Sequence, residues 1–189
     1  MCINISFNHF KYRFVQNIKG TENSVPKILY RFKSDITHQV YLVWVEIYPY
    51  NLYAIKFHLK RDSGSRLKYN KLTNLNETRP VVKTCIAIML EIHSKDNKSS
   101  FGFIGSNTIC DRKIKNRTVY IHEPEAKTKR YNFYSRMMLT YFSDNIFQHE
   151  VIEEKSAYIM LRKAEYEKDN DILNKITDYF QCNFDIIHN

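Results

Sequence analysis

Glycine and proline are the scarcest structural punctuation in this 189-residue chain, at four residues each. So little glycine excludes a P-loop or a dinucleotide-binding fingerprint, and neither motif is present. It also argues against a long flexible linker. Cys2, Cys85, Cys110 and Cys182 lie far apart with no C-x-x-C pair, which removes the common zinc and dithiol patterns. The seven histidines form neither H-x-x-x-H nor H-E-x-x-H, so no metal is expected. No nucleophile elbow is present either. No apolar run is long enough to span a bilayer, and the opening MCINISFNHFKYRF has no apolar stretch of the signal-peptide kind. A cytoplasmic protein in a reducing compartment, with no membrane partner, is therefore expected.

What is abundant is aromatic and basic. The chain holds 14 Tyr and 12 Phe, which suits a β-rich core with tyrosine hydroxyls reaching water at its edge. The apolar share of 43% is ordinary for a globular protein, and the length fits one domain over residues 1–189. The net charge of +9 favours a polyanionic partner. The heavy use of Lys, Asn, Ile and Tyr, as in an AT-rich genome, raises the charge by itself.

Hydrophobic periodicity gives the order of elements. Loose alternation over 3–15 predicts an opening strand or strand pair, and Asn17 to Pro26 a turn. Strands are predicted over Lys27–Lys33, Tyr41–Tyr48 and Leu52–Leu59. The last of these places Tyr53, Ile55, Phe57 and Leu59 on one face and Lys56 and His58 on the other. Leu67–Leu75 reads as irregular. A central helix follows, with Thr78 as N-cap, Pro80 in its first turn, and Val82, Cys85, Ile86, Met89 and Ile92 as its buried stripe. Phe101–Gly105 is an interior strand. Residues 106–126 form a poorly patterned basic excursion of the kind that is functional or disordered, with room for a hairpin over Thr118–His122. A helix over 127–142 places Tyr131, Tyr134, Met138 and Tyr141 on one stripe. Two short strands within 147–162 and a helix from Asp169 or Asn170 to Phe180 complete the chain. The fold class is α+β, a mostly antiparallel sheet carrying a central helix, a Tyr/Arg-bearing helix and a C-terminal helix.

The densest candidate site is the basic region. Between Asp111 and Arg136 there are eight Lys or Arg and three acids. Arg112, Lys113, Lys115, Arg117, Lys127, Lys129, Arg130 and Arg136 alternate with tyrosines, of which Tyr131 belongs to the candidate set. Cations neutralise phosphates and rings stack on bases, so nucleic acid or an acidic protein is the partner this composition suits.

Two resemblances rest on particular residues. Gly105-Ser106-Asn107 and Thr128-Lys129-Arg130-Tyr131 resemble the two halves of a G-S-T…R-T-R-L-Y signature found in an uncharacterised family of small bacterial proteins. That likeness covers about residues 40–162 and implies no activity. The order of antiparallel sheet, central helix, strand, Tyr-bearing helix and closing strand is similar in topology to the GNAT acyltransferase superfamily. That resemblance implies an acyl-CoA cofactor, Tyr134 as general acid toward the leaving thiolate, and Arg79 near the phosphates. The chain departs from the superfamily at Asn76-Glu77-Thr78-Arg79-Pro80, where a glycine-containing phosphate loop would stand.

Three functions are thus compatible with the residues. The first is a non-enzymatic cytoplasmic accessory or defence factor of a bacterium or mobile element, with no cofactor, that contacts nucleic acid or an acidic partner through its basic region. The second is a degenerate GNAT-like acyltransferase. The third is a protein-interaction module.

Overall fold

The structure, a computed structural model, describes residues 8–71, 75–106, 109–114 and 117–184. The chain is α+β. Strands β1 (Tyr12–Ile18), β2 (Lys27–Lys33), β3 (Val40–Tyr48) and β4 (Leu52–Leu59) form an antiparallel meander. Helix α1 (Thr78–Lys95) then carries the chain back, so that β5 (Ser100–Ile104) runs parallel to β4; parallel neighbours need such a crossover, whereas antiparallel ones share a tight turn. Strands β6 (Ile109–Ile114) and β7 (Arg117–His122) pair as a separate two-stranded sheet. Helix α2 (Lys129–Tyr141), β8 (Phe147–Ile152), β9 (Ala157–Arg162), the one-turn α3 (Lys163–Tyr166) and α4 (Ile172–Phe184) follow. The order across the main sheet is β1-β2-β3-β4-β5-β9-β8, so β9 inserts between β5 and β8.

Alternation along each strand sorts the core into two layers. Tyr30, Phe32, Tyr41, Val43, Val45, Tyr158 and Met160 meet α1 and α2 on one face. Tyr48, Leu52, Ile159 and Leu161 meet Ile172 and Ile176 of α4 on the other. Helix α1 is central because its predicted stripe is buried throughout, and Ile86 and Ile88 have no exposed surface at all. A helix apolar over so much of its circumference must lie inside the layer rather than on it.

Several expectations are corrected in detail. Among the described residues the opening strand starts at Tyr12, and it continues through Asn17 and Ile18, where a turn was expected, because these two pair with Ile28 and Lys27; residues 1–7 of the expected strand or strand pair lie outside the described set. Glu77, not Thr78, is the N-cap residue of α1. The excursion at 106–126 contains a regular hairpin, longer than the one expected. His58 shares the face of Lys56, as expected, and is buried there. It is 4% exposed, with Trp44 Nε1 donating to its Nε2 at 3.2 Å and the Tyr69 ring standing edge-on to it. Residues 67–71 are irregular as expected, apart from a single bridge residue at Lys71, and 72–74 lie outside the described set. No helix among the described residues is long and apolar enough to cross a membrane.

Candidate ligand cleft

Strands β4 and β5 pair through only three residue pairs, Leu52↔Ser100, Tyr53↔Phe101 and Ala54↔Gly102. Beyond them each strand keeps its other neighbour. β4 stays on β3 to Leu59, and β5 stays on β9 to Ile104. The main sheet is therefore split between Ile55–Leu59 and Phe103–Ile104. Val82, Cys85 and Met89 of α1, Tyr134 and Met138 of α2, and Met160 of β9 close in on the split around a cavity of about 50 Å³. Water-sized atoms need roughly 10–15 Å³ each by this measure, so the cavity holds about four.

Tyr134 acts as the wedge in the split. Its ring centroid lies 6.2 Å from Phe57 on β4 and 5.3 Å from Phe103 on β5, so each strand leans on one side of it. Among the described residues its hydroxyl makes no hydrogen bond, and it is the polar group nearest an otherwise apolar lining. Burial raises the Tyr134 phenol well above the usual tyrosine value, with the Arg130 charge pulling slightly the other way. The group is a neutral donor at physiological pH. Cys85, on the helix side of the cavity, is fully buried. Desolvation pushes its thiol far up, so it packs as a small hydrophobe and not as a nucleophile.

A three-way junction fixes α2, and with it Tyr134. Gly105 ends β5, and its N–H donates to Ser156 O at 2.8 Å. The Thr128 hydroxyl donates to Gly105 O at 2.7 Å and accepts from Tyr131 N at 3.1 Å, capping the helix. Thr128 N–H donates to Ser156 Oγ at 3.0 Å, and that hydroxyl donates to Glu125 O. Ser156 turns between β8 and β9 with a φ of 49°. A Cβ on Gly105 would stand 2.5 Å from Tyr131 N and 2.7 Å from Thr128 Oγ1. Only glycine permits this approach. Gly105 and Thr128–Tyr131, the two segments compared above with the bacterial signature, meet here across the intervening hairpin.

At the entrance of α1 the Glu77 side chain turns away from the helix. Glu77 is 1% exposed. Its carboxylate accepts from Ser34 Oγ at 2.5 Å, Tyr41 OH at 2.6 Å and Thr37 Oγ1 at 2.9 Å. It thus points into a hydroxyl cluster and caps no N–H of its own helix. Thr78 and Arg79 are exposed beside it, and Pro80 offers no N–H.

The basic residues are divided among elements. Arg112 and Lys113 lie on β6 opposite Val119 and Thr118, and Arg117 on β7 opposite Ile114; Lys115 lies outside the described residues. Lys127 pairs with Glu153 at 2.6 Å. Arg130 turns back to hold the carbonyls of Tyr69 and Lys71, which ties the 60–71 segment to the start of α2. Tyr131 is buried at the junction. Lys129 and Arg136 are exposed.

Two polar arrangements escaped the sequence reading. One is the Glu77 cluster, whose members lie 36 to 43 residues apart. The other joins His149 Nδ1 to Tyr158 OH at 2.7 Å, with Asp144 3.3 Å from Nε2. Burial holds the His149 imidazole below its usual range despite Asp144. Neither has a sequence signal, since long-range pairing alone assembles them. Thr128 did have one, a threonine directly before a helical stripe. Among the described residues no group of three or more His, Cys, Asp or Glu is placed to hold a metal ion. No protein-family model, no curated protein and no solved structure matches the chain.

Proposed function

We propose that the split between β4 and β5 receives the thioester end of an acyl-CoA, and that the chain is an acyltransferase of the GNAT-like kind. One observation carries the reading: a parallel strand pair parts after three residues around an apolar cavity into which a neutral phenol is wedged. An extended thioester arm between two parting strands can take the backbone groups that the strands no longer offer each other. An acceptor amine would attack the thioester carbonyl and the carbon–sulfur bond would break; the departing thiolate would take the Tyr134 proton, and the proton shed by the new amide nitrogen would restore the phenol. The phosphate end differs from the superfamily. It relies on Arg79 and the N–H groups of Thr78 and Arg79, with no glycine loop. Isothermal titration with acetyl-CoA tests the proposal. Saturable binding is expected, and an absence of heat at millimolar ligand rules it out.

A second reading is a non-enzymatic protein that holds nucleic acid or an acidic partner through residues 112–136. Favouring it, Lys129 and Arg136 stand exposed on α2, and the first turn carries no acid of its own, the negative charge at the helix start coming from Glu123, which accepts from Lys129 N–H at 2.7 Å. Lys129→Glu with Arg136→Glu should abolish salt-dependent binding of a labelled oligonucleotide if this region is the contact.

A further inference from the structure

The face of the sheet opposite α1 and α2 carries a second, unrelated arrangement. Helix α4 covers that face only around Tyr48, Leu52, Ile159 and Leu161. Away from that end of β3 and β4, no helix lies on it among the described residues, and Tyr69 of the 60–71 segment reaches it only at His58. The inward positions of β2 and β3, Tyr30, Phe32, Tyr41, Val43 and Val45, all point to the other side. The alternate positions therefore define this face. They bring Arg13, Lys27, Arg31, Lys33 and Lys56 around a single central aromatic, Trp44.

Three features of this face call for a partner. Arg13 stands directly opposite Arg31 in the β1–β2 ladder. Like charges in that relation destabilise a sheet, and among the described residues neither has an acidic partner. The one acid on these strands' open face, Glu46, is saturated by Lys27 at 3.0 Å, Lys56 at 2.6 Å and the Tyr48 hydroxyl at 2.7 Å. Trp44, the sole tryptophan of the chain, lies in register between Leu29 and Lys56. It is half-buried, and its Nε1 is held by His58, so the indole is fixed on the sheet instead of sweeping through solvent.

We infer that this face is a docking platform for single-stranded nucleic acid, with Trp44 as a stacking surface for a base and Arg13 and Arg31 as phosphate contacts. The charge complementarity selects a polyanion, and the aromatic selects one with unpaired rings. Fixed aromatics on a sheet flanked by cations bind single strands in this way, because every base has a π-face. A duplex hides its base faces and leaves Trp44 with nothing to stack on. The platform lies on the opposite face of β4 from the acyl-CoA cleft and uses no residue of the 112–136 region.

The unique tryptophan makes the test direct. The full chain is titrated with an oligothymidylate of about 15 nucleotides, within the usual site size, and Trp44 emission is followed. Saturable quenching that weakens as salt rises is expected. Arg13→Ala with Arg31→Ala should weaken binding about tenfold and reduce the logarithmic salt slope by about 1.4, two phosphates at about 0.7 each. Lys129→Glu with Arg136→Glu should leave the titration unchanged. Both double variants alter surface positions, and circular dichroism confirms their folding. No quenching at low salt overturns the proposal. So does equal quenching by heparin or by a duplex of the same charge, which would make the face a general polyanion surface. Binding lost with Lys129 and Arg136 but kept without Arg13 and Arg31 overturns it as well, and moves the contact to α2.

Discussion

Replacing Gly105 by alanine perturbs the junction that positions Tyr134, and the magnitude follows from the geometry. The new Cβ meets Tyr131 N at 2.5 Å, Tyr131 Cβ at 2.6 Å and Thr128 Oγ1 at 2.7 Å, all far inside van der Waals contact. Two of these atoms belong to a helix turn that cannot rotate away, so α2 or the end of β5 must move by about an ångström. Overpacking of this kind costs roughly 1–3 kcal/mol. The shift also strains the Thr128 cap and its bond to Gly105 O, together worth about 1–2 kcal/mol. Alanine regains about 0.5–1 kcal/mol by restricting the unfolded chain. The net is a destabilisation of about 1–4.5 kcal/mol, or roughly 2–18 °C in melting temperature for a chain of this size. Two internal controls share the chemistry. At Gly102 a Cβ finds its nearest neighbours at 3.6 and 3.7 Å, and at Gly64 it finds nothing within 4 Å. Thermal denaturation of the three alanine variants should therefore rank Gly105 far below Gly102 and Gly64, with the latter two within about 1 kcal/mol of the parent. If Gly105→Ala melts with Gly102→Ala, the junction does not hold α2 as described.

Other perturbations separate binding from stability. Tyr134→Phe removes a hydroxyl without a hydrogen bond among the described residues, so the urea midpoint should change by no more than about 0.5 kcal/mol, while acyl transfer should fall about 10²- to 10⁴-fold; a large loss of stability would show that the hydroxyl is structural. Glu77→Ala strands the hydroxyls of Ser34, Thr37 and Tyr41 and should cost at least about 3 kcal/mol, with Glu77→Gln recovering part of it. His58, His93 and His149 are all held below the usual histidine value by burial. The unfolded chain therefore takes up protons near pH 6.5 that the folded chain refuses. Stability should be full above that pH and fall below it, by at most about 1.4 kcal/mol per pH unit for each ring; urea unfolding at about pH 8 and about pH 5.5 checks the sign, and an unchanged midpoint would contradict it. Cys85 should resist thiol reagents in the native state and react once the protein is unfolded.

The elements were legible where one physical signal dominated. The Val82–Ile92 stripe predicts α1 because every position of it is buried. The β-branched and aromatic runs at β3 and β4 predict those strands because nothing local competes with them. His58 was legible as a neighbour of Lys56 on one strand face, but its burial was not, because Tyr69 and Trp44 cover it from other elements. The burial of Glu77 had no local signal, because three distant hydroxyls draw it inside. Tyr134 was legible as a stripe residue, but its place in a sheet split was not, since no local pattern says where two parallel strands will part. The basic region was legible only as composition. Folding turns Arg130 and Tyr131 inward and leaves Lys129 and Arg136 exposed, a sorting that depends on Gly105 and the 60–71 segment.

The central claim, that the β4–β5 split is the ligand cleft, is tested most directly by methionine methyl resonances in isotope-labelled protein during titration with acetyl-CoA. Of the five methionines in the chain, Met89, Met138 and Met160 line the cavity, whereas Met137, buried beside Met138 in α2, does not. Binding in the split predicts saturable shifts for the three lining methyls, with Met137 little changed. Saturable shifts elsewhere with those three still, or no shifts at all, would contradict the account.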